Sequence, residues 1–215
     1  MGSSVRGVGV IDKTTQVLDA LEEAPRSLNE LVAVTGFSRA TTHRLAVALE
    51  EHGFVRRDEE GRFALGVRLI ALGRAAAEAI PLASAALPAL TTLRDTTGES
   101  VQLYVRQGDR RVCIAALESP HGLRTIVPMG ASLPLDVGSA GKILSGAPEA
   151  WIESVGEREA GVASVSAAVT GPDGHALAAV SVSGPIERTT RHPGRRYGEA
   201  VVAAARLIET AAGLA

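Results

Sequence analysis

The chain has 215 residues, of which 46% are hydrophobic and 3% aromatic, and its formal net charge is −2. It is too apolar for a disordered protein and long enough for one large domain or two small ones. A single cysteine, Cys113, excludes a disulfide-stapled secreted scaffold. No uninterrupted apolar run reaches the roughly 18 residues of a membrane span. The first residues lack the apolar core of a signal peptide, so we expect a cytoplasmic protein with no membrane partner.

Neither half of the chain is strongly basic. Residues 1–80 hold ten Lys or Arg and eleven Asp or Glu, and residues 81–215 hold twelve and thirteen. Composition alone therefore indicates no nucleic-acid partner, and any such prediction depends on where the charges lie.

The first predicted elements are two helices. Apolar residues at helical spacing predict one over residues 10–21, which is stopped by Pro25. Ser27, with Glu30 three positions later, is a capping-box pattern that opens a second helix, and Gly36 ends it.

A third helix and a hairpin complete the first predicted domain. Ser38 caps a helix over about residues 39–52, and two short strands follow around the turn EEGR. Three helices and a two-stranded hairpin in this order are typical of a winged helix-turn-helix, which we assign to residues 1–66.

Two further helices are predicted to join this domain to a larger one. Helical spacing returns over residues 67–79, Pro81 interrupts it, and another helix covers about residues 83–96. We assign residues 67–81 to a linker helix and residues 82–215 to a second domain.

From Glu99 onward, apolar residues tend to recur at every second position, which is typical of strands. Strands in hairpins with helices to one side indicate an α+β domain. The predicted elements are two strands in SVQLYVRQGDRRVCIAALES, a third strand in GLRTIVPMG, a short helix in GSAGKIL, strands from WIESVGERE to VSVSG with a turn at Gly171–Gly174, and a terminal helix over Gly198–Ala212.

The outward face of the third helix carries cations and small residues, with no acid before Glu50. Arginine forms two hydrogen bonds with guanine, and threonine or alanine contacts the thymine methyl, so this face suits a DNA major groove. The alternative is a solvated helix with ordinary surface charge. The predicted base-contacting set is Ser38, Arg39, Thr41, Thr42, His43 and Arg44.

Arginines of the hairpin are candidates for phosphate contacts, which position a protein without reading sequence. Arg56 and Arg62 are assigned this role, although the neighbouring acids of residues 58–60 weaken the argument. One copy makes too few phosphate contacts for tight binding, so specific binding implies a dimer on paired half-sites.

At this point the motifs resemble the IclR family of bacterial transcription regulators. DKTTQVLDAL and LVAVTGFSRATTHRLAVALEEHGFVRRDEEGRFALGVRL are similar to that family's DNA-binding domain. SAGKIL, GEREAGVASVSAAV and ALAAVSVSGPIERTTR are similar to its effector-binding domain. The ending VSGPIERTTRHPGR resembles actinobacterial members linked to amino-acid metabolism, including leucine biosynthesis.

The resemblance implies a winged helix domain, a linker helix and a C-terminal α/β domain related to GAF folds. It also implies a homodimer or tetramer whose affinity for double-stranded operator DNA changes with a small effector, an amino acid or small carboxylic acid. One departure is visible: seven residues, SGAPEAW, separate Leu144 from Ile152, where family members have some twenty or more. That segment is expected near the ligand cavity, so its shortening bears on how the cavity closes.

Carried over by motif, the resemblance implies an effector pocket. Backbone N–H groups at the start of GSAGKIL can hold a carboxylate. Ser181 and Ser183, like Ser164 and Ser166, point to one face of their strand. The alternative is that these serines face solvent or bond to nearby backbone. The predicted set is Thr125, Leu133, Ser139, Ala140, Ser154, Val162, Ser164, Ser181 and Ser183.

Enzyme chemistry has little support in the sequence. GSAGK lacks the spacing of a phosphate loop, and VSVSG lacks the first glycine of a nucleophile elbow. The five histidines are scattered, so we predict no metal and no cofactor, although folding can assemble a zinc site from distant residues. Cys113 is expected to be a small buried hydrophobe, and Glu157, Arg158 and Glu159 a solvated or ion-paired loop. The remaining alternative to a regulator is a small-molecule sensor that acts through protein contacts without specific DNA binding.

Overall fold

A computed structural model describes residues 9–214. The chain forms two compact units that divide between Ala76 and Ala77. Within the described residues no single helix is long and apolar enough to cross a membrane, and one bent pair of consecutive helices (Arg68–Glu78 with Pro81–Thr97) reaches the threshold by length and composition only.

The first unit contains the predicted three helices and hairpin, followed by a fourth helix. A small apolar core, centred on Val17, Leu31, Ala46 and Phe63, holds the helices against the hairpin. In chain order the elements are α1 (Gly9–Glu23), α2 (Leu28–Thr35), α3 (Arg39–Glu51), β1 (Val55–Arg57), β2 (Phe63–Leu65) and α4 (Arg68–Glu78).

The predicted capping box is confirmed at the start of α2. The backbone N–H of Ser27 donates to Glu30 Oε2 at 2.7 Å, and the N–H of Glu30 donates to Ser27 Oγ at 3.3 Å. Gly36 ends the helix at φ 69°, a left-handed conformation that glycine adopts without steric cost. The turn between α2 and α3 is therefore set by local chemistry.

The second unit is a six-stranded antiparallel sheet with helices on both faces. The strand order is β5-β4-β3-β8-β7-β6. Its elements are α5 (Pro81–Thr97), β3 (Ser100–Gln107), β4 (Arg110–Leu117), β5 (Ser132–Pro134), α6 (Ser139–Leu144), β6 (Ile152–Val155), β7 (Val162–Thr170), β8 (Ala176–Pro185), α7 (Ile186–Thr189) and α8 (Pro193–Ala211).

The two faces of this sheet differ in chemistry. Val101, Val165 and Val182 point to one face, where α5 and α8 cover them with Leu90 and Ile208. Because side chains alternate along a strand, the intervening positions point to the other face, beside α6. The predicted α+β class is confirmed, and the short helix α6 lies opposite the two long ones.

One predicted strand is wrong. Residues 122–130 form no strand, and the third strand of this region is β5, two residues further on. Pro128 has no N–H for a ladder and instead begins a turn in which Ala131 N donates to its carbonyl at 3.1 Å. The terminal helix also starts earlier than predicted, at Pro193, because proline fits the first turn of a helix.

Two glycines of α8 make room for the only tryptophan. A Cβ at Gly194 would lie 1.9 Å from the Trp151 ring, and one at Gly198 would lie 2.8 Å from it. The ring therefore packs directly on the helix backbone and partly covers the apolar core.

We expect Gly194→Ala to destabilise the second unit by about 1–3 kcal/mol, because the ring must shift to admit the methyl group. Denaturant unfolding followed by Trp151 fluorescence measures this. Gly122→Ala is the control, since nothing lies within 4 Å of that position and its φ is not in the left-handed range. Equal stability of the two variants would contradict the close packing.

Candidate functional sites

The exposed face of α3 is the first candidate site. Arg39, His43 and Arg44 are exposed, while Ala46 and Leu49 are buried in the core. Within residues 9–214, His43 and Arg44 make no side-chain hydrogen bond or ion pair that would hold them to the domain. The Arg39 guanidinium donates to Asn29 Oδ1 on α2, so its position is set by the preceding helix.

The small polar residues at the start of α3 form hydrogen bonds with one another and with the helix backbone. Ser38 Oγ accepts from the N–H of Thr41 at 3.3 Å and lies 2.9 Å from Thr41 Oγ1. Thr42 is fully buried, and its hydroxyl donates to Ser38 O at 3.2 Å. Thr42 is therefore removed from the predicted contact set, because the core side of α3 is centred on Thr42 and Ala46.

The hairpin arginines are in different environments. Arg62 is bound by Asp58 at 2.9 Å and Glu60 at 2.7 Å, and the hydrogen bond to Asp58 raises the pKa of Arg62. Arg57 stacks on Phe63 at 4.1 Å from the ring centre. Arg56 is exposed, and in the described part of the chain it has no ion pair. Arg56 is thus the better placed of the two predicted phosphate contacts.

The second candidate site is a small cavity of about 30 Å³ on the sheet face beside α6, here called the polar cavity. It brings together all of the predicted effector residues except Thr125 and Leu133. Its lining consists of Gln102, Tyr104, Arg111, Gly138, Ser139, Ala140, Ser154, Arg158, Glu159, Val162, Ser164, Ser181 and Ser183.

Thr125 and Leu133 lie elsewhere, which corrects two predicted positions. Thr125 is buried beside a neighbouring depression, because the segment that holds it is not a strand of the sheet. Leu133 is on β5, opposite Arg111 in the ladder, and its side chain joins an apolar cluster with Ile143.

The serines form a chain of hydrogen bonds with one another. Ser139 Oγ lies 2.8 Å from both Ser164 Oγ and Ser166 Oγ, and Ser166 donates to Ser181 at 2.9 Å. Ser139, Ser166 and Ser181 are all buried. The alternative in which these serines face solvent or bond to backbone is therefore wrong. A hydroxyl both donates and accepts, so this chain can reorient to meet a polar ligand.

Sequence reasoning missed the larger polar residues of the cavity. Gln102 is 1% exposed and accepts from Ser183 Oγ at 3.1 Å, and Tyr104 is 4% exposed. A signal for both was present, since they occupy alternate positions in an apolar strand. Arg111 and Arg158 carried no comparable local signal.

Arg111 is a cation inside the domain. It is 3% exposed, its guanidinium lies 5.4 Å from the centre of the Tyr104 ring, and Nη1 donates to the carbonyls of Pro134 and Val137. Its Nε is buried without a partner. Burial lowers the pKa of Arg111, and burial raises the pKa of the Tyr104 phenol far above its ordinary value.

The start of α6 already holds a carboxylate of the protein. Gly138 N donates to Glu157 Oε2 at 3.1 Å, and Lys142 Nζ donates to Oε1 at 2.5 Å. The hydrogen bond from Lys142 is the main reason that the pKa of Glu157 is lowered. Glu157 thus occupies the Gly138 N–H, one of the N–H groups at the start of α6, and the predicted ion-paired loop is present.

Cys113 is buried in the apolar cluster beneath α6, as predicted. Burial raises the pKa of its thiol to about 11, so the nucleophilic thiolate is scarce at neutral pH. Among residues 9–214 no three His, Cys, Asp or Glu side chains converge on a point that would hold a metal ion.

Glu157→Gln is expected to lower stability at neutral pH by about 0.2–1 kcal/mol, the size of a solvent-screened ion pair. Because the folded-state pKa of Glu157 is lowered, its contribution is complete above the usual carboxyl value of 4.5 and is lost as the pH falls below it. The test is to measure the free energy of unfolding of the wild type and of the variant from pH 3 to pH 7 and to follow the difference between the two values.

Glu149→Gln is the charge-matched control, since Glu149 is exposed on the preceding segment. Its stability curve should run parallel to that of the wild type. A Glu157→Gln curve that is also parallel to the wild type would contradict the ion pair at α6.

Family models match both units of the chain. The model of the IclR helix-turn-helix domain matches residues 10–59, and the model of the bacterial transcriptional regulator IclR C-terminal domain matches residues 74–154 and 148–210. These are models of transcription regulators and not of enzymes.

Two curated relatives are similar in sequence. HTH-type transcriptional regulator KipR of Bacillus subtilis is 29% identical over 154 residues, which is 71% of this chain and 62% of KipR. Transcriptional repressor IclR of Escherichia coli is 27% identical over 250 aligned residues, covering 95% of this chain and 91% of the repressor.

Solved structures share the fold. An IclR transcriptional regulator from Alicyclobacillus acidocaldarius has a TM-score of 0.81 at 22% identity, and the match covers 96% of this chain and 100% of that regulator. An IclR homolog from Microbacterium hydrocarbonoxydans, solved as a complex with 4-hydroxybenzoate, has a TM-score of 0.76 at 18% identity, with coverages of 96% and 100%.

The comparisons also bear on the short segment after α6. The C-terminal model matches in two pieces that overlap on residues 148–154, and the 250 positions aligned with the E. coli repressor exceed the 215 residues of this chain. In the structure the seven residues SGAPEAW join α6 to β6, and residues 146–150 line a separate groove near α8. None of residues 146–150 lines the polar cavity.

Proposed function

The chain belongs to the IclR family of bacterial transcriptional regulators, and on that premise we propose that it controls a metabolic operon by binding operator DNA in response to a small polar effector. The observation that carries the proposal is the free cationic face of α3, where His43 and Arg44 are held by no partner in the described residues. We place its action in the cytoplasm.

The DNA contacts follow from this face. Arg44 projects from the middle of α3 and suits a guanine edge in the major groove, with His43 beside it. Arg39, which Asn29 orients, adds a second positively charged group near the start of α3. Arg56 contacts phosphate from the hairpin. Ser38 and Thr41 shape the helix start and approach the DNA there. The domain boundaries that go with this proposal are 1–66, 67–81 and 82–215.

Self-association supplies the second half-site. Helix α4 has no buried residue, and three large apolar side chains on or beside it are exposed: Val67 at 72%, Ile70 at 73% and Leu72 at 47%. An apolar surface of this kind favours contact with a second copy. We therefore propose a homodimer, or a tetramer built from dimers, on paired half-sites.

The polar cavity is the proposed effector site. Its buried hydroxyl chain and Gln102 suit a small polar molecule, and we propose an amino acid or small carboxylic acid linked to amino-acid metabolism. The fold neighbour solved with 4-hydroxybenzoate, an aromatic carboxylic acid, supports a ligand of this class.

A gel-shift titration with the DNA upstream of the protein's own gene tests the proposal. It is run at several salt concentrations, with and without leucine, other amino acids and small 2-oxo acids. A specific shift that weakens with salt and responds to one compound supports an effector-controlled regulator. No specific shift would reject operator binding at this site and favour a sensor that acts through protein contacts.

Arg44→Ala is expected to weaken operator binding by about 1–3 kcal/mol and to relax base preference at one position. Fluorescence anisotropy with the operator and with base-substituted operators measures both effects. Arg206→Ala, which removes an exposed arginine from α8, is the control for total charge and should bind like the wild type. Equal weakening on operator and unrelated DNA would instead make Arg44 a phosphate contact.

A further inference from the structure

The sheet of the second unit has an open edge along part of β7. β6 pairs with the first part of β7 only, and the last pair is Ile152 with Ser166. In the described part of the chain no strand lies beside residues 167–170 on that side, while β8 pairs with them on the other side. Four residues of β7 therefore have a strand neighbour on one side only.

Backbone groups of this edge point away from β8. The N–H of Thr170 donates to Glu209 Oε1 at 2.7 Å. The next N–H, that of Gly171, donates to His175 O at 2.9 Å within the β7–β8 hairpin. Because successive N–H groups of a strand point to opposite sides, the N–H and carbonyl of Ala168 point outward with that of Thr170. The Glu209 carboxylate thus takes the place of a strand carbonyl at Thr170, and the outward groups of Ala168 are left for another partner.

A groove of about 440 Å³ follows this edge and is here called the edge groove. Its lining comes from both faces of the sheet: Ile143 of α6 lies on one side, and Val202 and Ala205 of α8 lie on the other. β7 contributes Ala167, which is buried in the core with α8, and Ala168, which packs against the apolar cluster of α6. A strand placed in the edge groove would lie between the two helices, as β7 does.

The edge groove lies where the chain is shorter than its family. The C-terminal family model matches in two pieces that overlap on residues 148–154, which places the shortening between α6 and β6. Residues 146–150 make this connection and line the groove without forming a strand. Proteins usually protect an open edge with charged residues, proline or a covering segment, and residues 167–170 contain no charge and no proline.

We propose that the edge groove binds an extended peptide segment of a partner protein, which adds to the sheet as a strand antiparallel to β7. Backbone hydrogen bonds to Ala168 supply affinity, and the small residues of the lining select small uncharged side chains. A second folded copy of the chain fits this edge less well, because each copy's edge lies recessed between α6 and α8. The edge groove shares no lining residue with the polar cavity.

Two peptides test the proposal on the full chain. The probe is the acetylated and amidated hexapeptide ALAAVS, the sequence of residues 176–181, because this part of β8 pairs with residues 167–170 on their other side. Its control is ALAPVS, in which proline removes one N–H of the added strand. Binding is followed by NMR shifts and by hydrogen exchange of the Ala168 amide.

We expect ALAAVS at about ten times its Kd to slow exchange of the Ala168 amide by about 10-fold, since only the free chain then exchanges. ALAPVS is expected to bind about 3- to 10-fold more weakly, the effect of one lost hydrogen bond. This measurement needs only the wild-type chain, so it stands even where a variant does not fold.

Two variants should change binding of ALAAVS in opposite directions. Glu209→Ala is expected to strengthen it by about 3- to 10-fold, because the Thr170 N–H becomes available to a carbonyl of the peptide. Ala168→Pro is expected to weaken it by about the same factor, because proline at this edge removes an N–H that β8 does not use. Leu123→Ser is the control for non-specific apolar binding: Leu123 is 69% exposed, lies outside the edge groove, and its variant should bind like the wild type.

The inference is overturned if ALAAVS and ALAPVS protect Ala168 alike, if neither binds at millimolar concentration, or if Glu209→Ala leaves binding unchanged. Protection of Ala168 that rises with protein concentration alone would assign the edge to a second copy of the chain and also reject the peptide. The operator gel shift tests the proposed function separately, because all lining residues of the edge groove belong to the second unit.

Discussion

The alternation of side chains across one antiparallel sheet is the constraint on which the second unit depends. In β8, Val180 and Val182 face α5 and α8, while Ser181 and Ser183 face the polar cavity. A strand shifted by one residue would exchange these sets and place hydroxyls in the apolar core. The same alternation that buries the core therefore assembles the cavity, so the stability of the sheet and the lining of the cavity depend on the same strands.

The ladder register then brings the polar residues into rows. Ser166 pairs with Ser181, and Ser181 pairs with Gln102, so three strands contribute one row; Ser164 pairs with Ser183 in the next. Buried hydroxyls are tolerated because each bonds to a neighbour. Such a network is costly to leave incomplete, so these hydroxyls depend on one another for their hydrogen bonds.

The two candidate sites are built in different ways. Helix α3, the candidate DNA-contacting helix, is positioned by short-range chemistry: Ser38 caps it, and the turn before it is set by Gly36. The polar cavity draws instead on α6 and on strands that are far apart in the chain, with Gln102 and Ser183 bonded across 81 positions. The geometry of the first site therefore depends on residues close in sequence, and that of the second depends on how the strands of the sheet assemble.

The sequence by itself was sufficient for the features that local periodicity and capping control. These include the helix-turn-helix, the capping box at Ser27 and the shared face of Ser181 and Ser183. The alternation of side chains along β3 also placed Gln102 on one face of its strand. Its place in the cavity was not predicted, because one polar residue in a strand is weak evidence of a site. The strand predicted over residues 122–130 does not form. An apolar segment alone does not show whether a neighbouring strand is available to pair with it.

Only the tertiary structure decided where the buried side of α3 ends and what surrounds the charges. Thr42 lies at the border of an ideal helical face, and in the folded domain it is fully buried. Glu157 binds the start of α6 and Arg111 lies unpaired in the polar cavity through contacts between distant segments. Burial and ion pairing depend on which segments meet, and that information is absent from the spacing of residues along the chain.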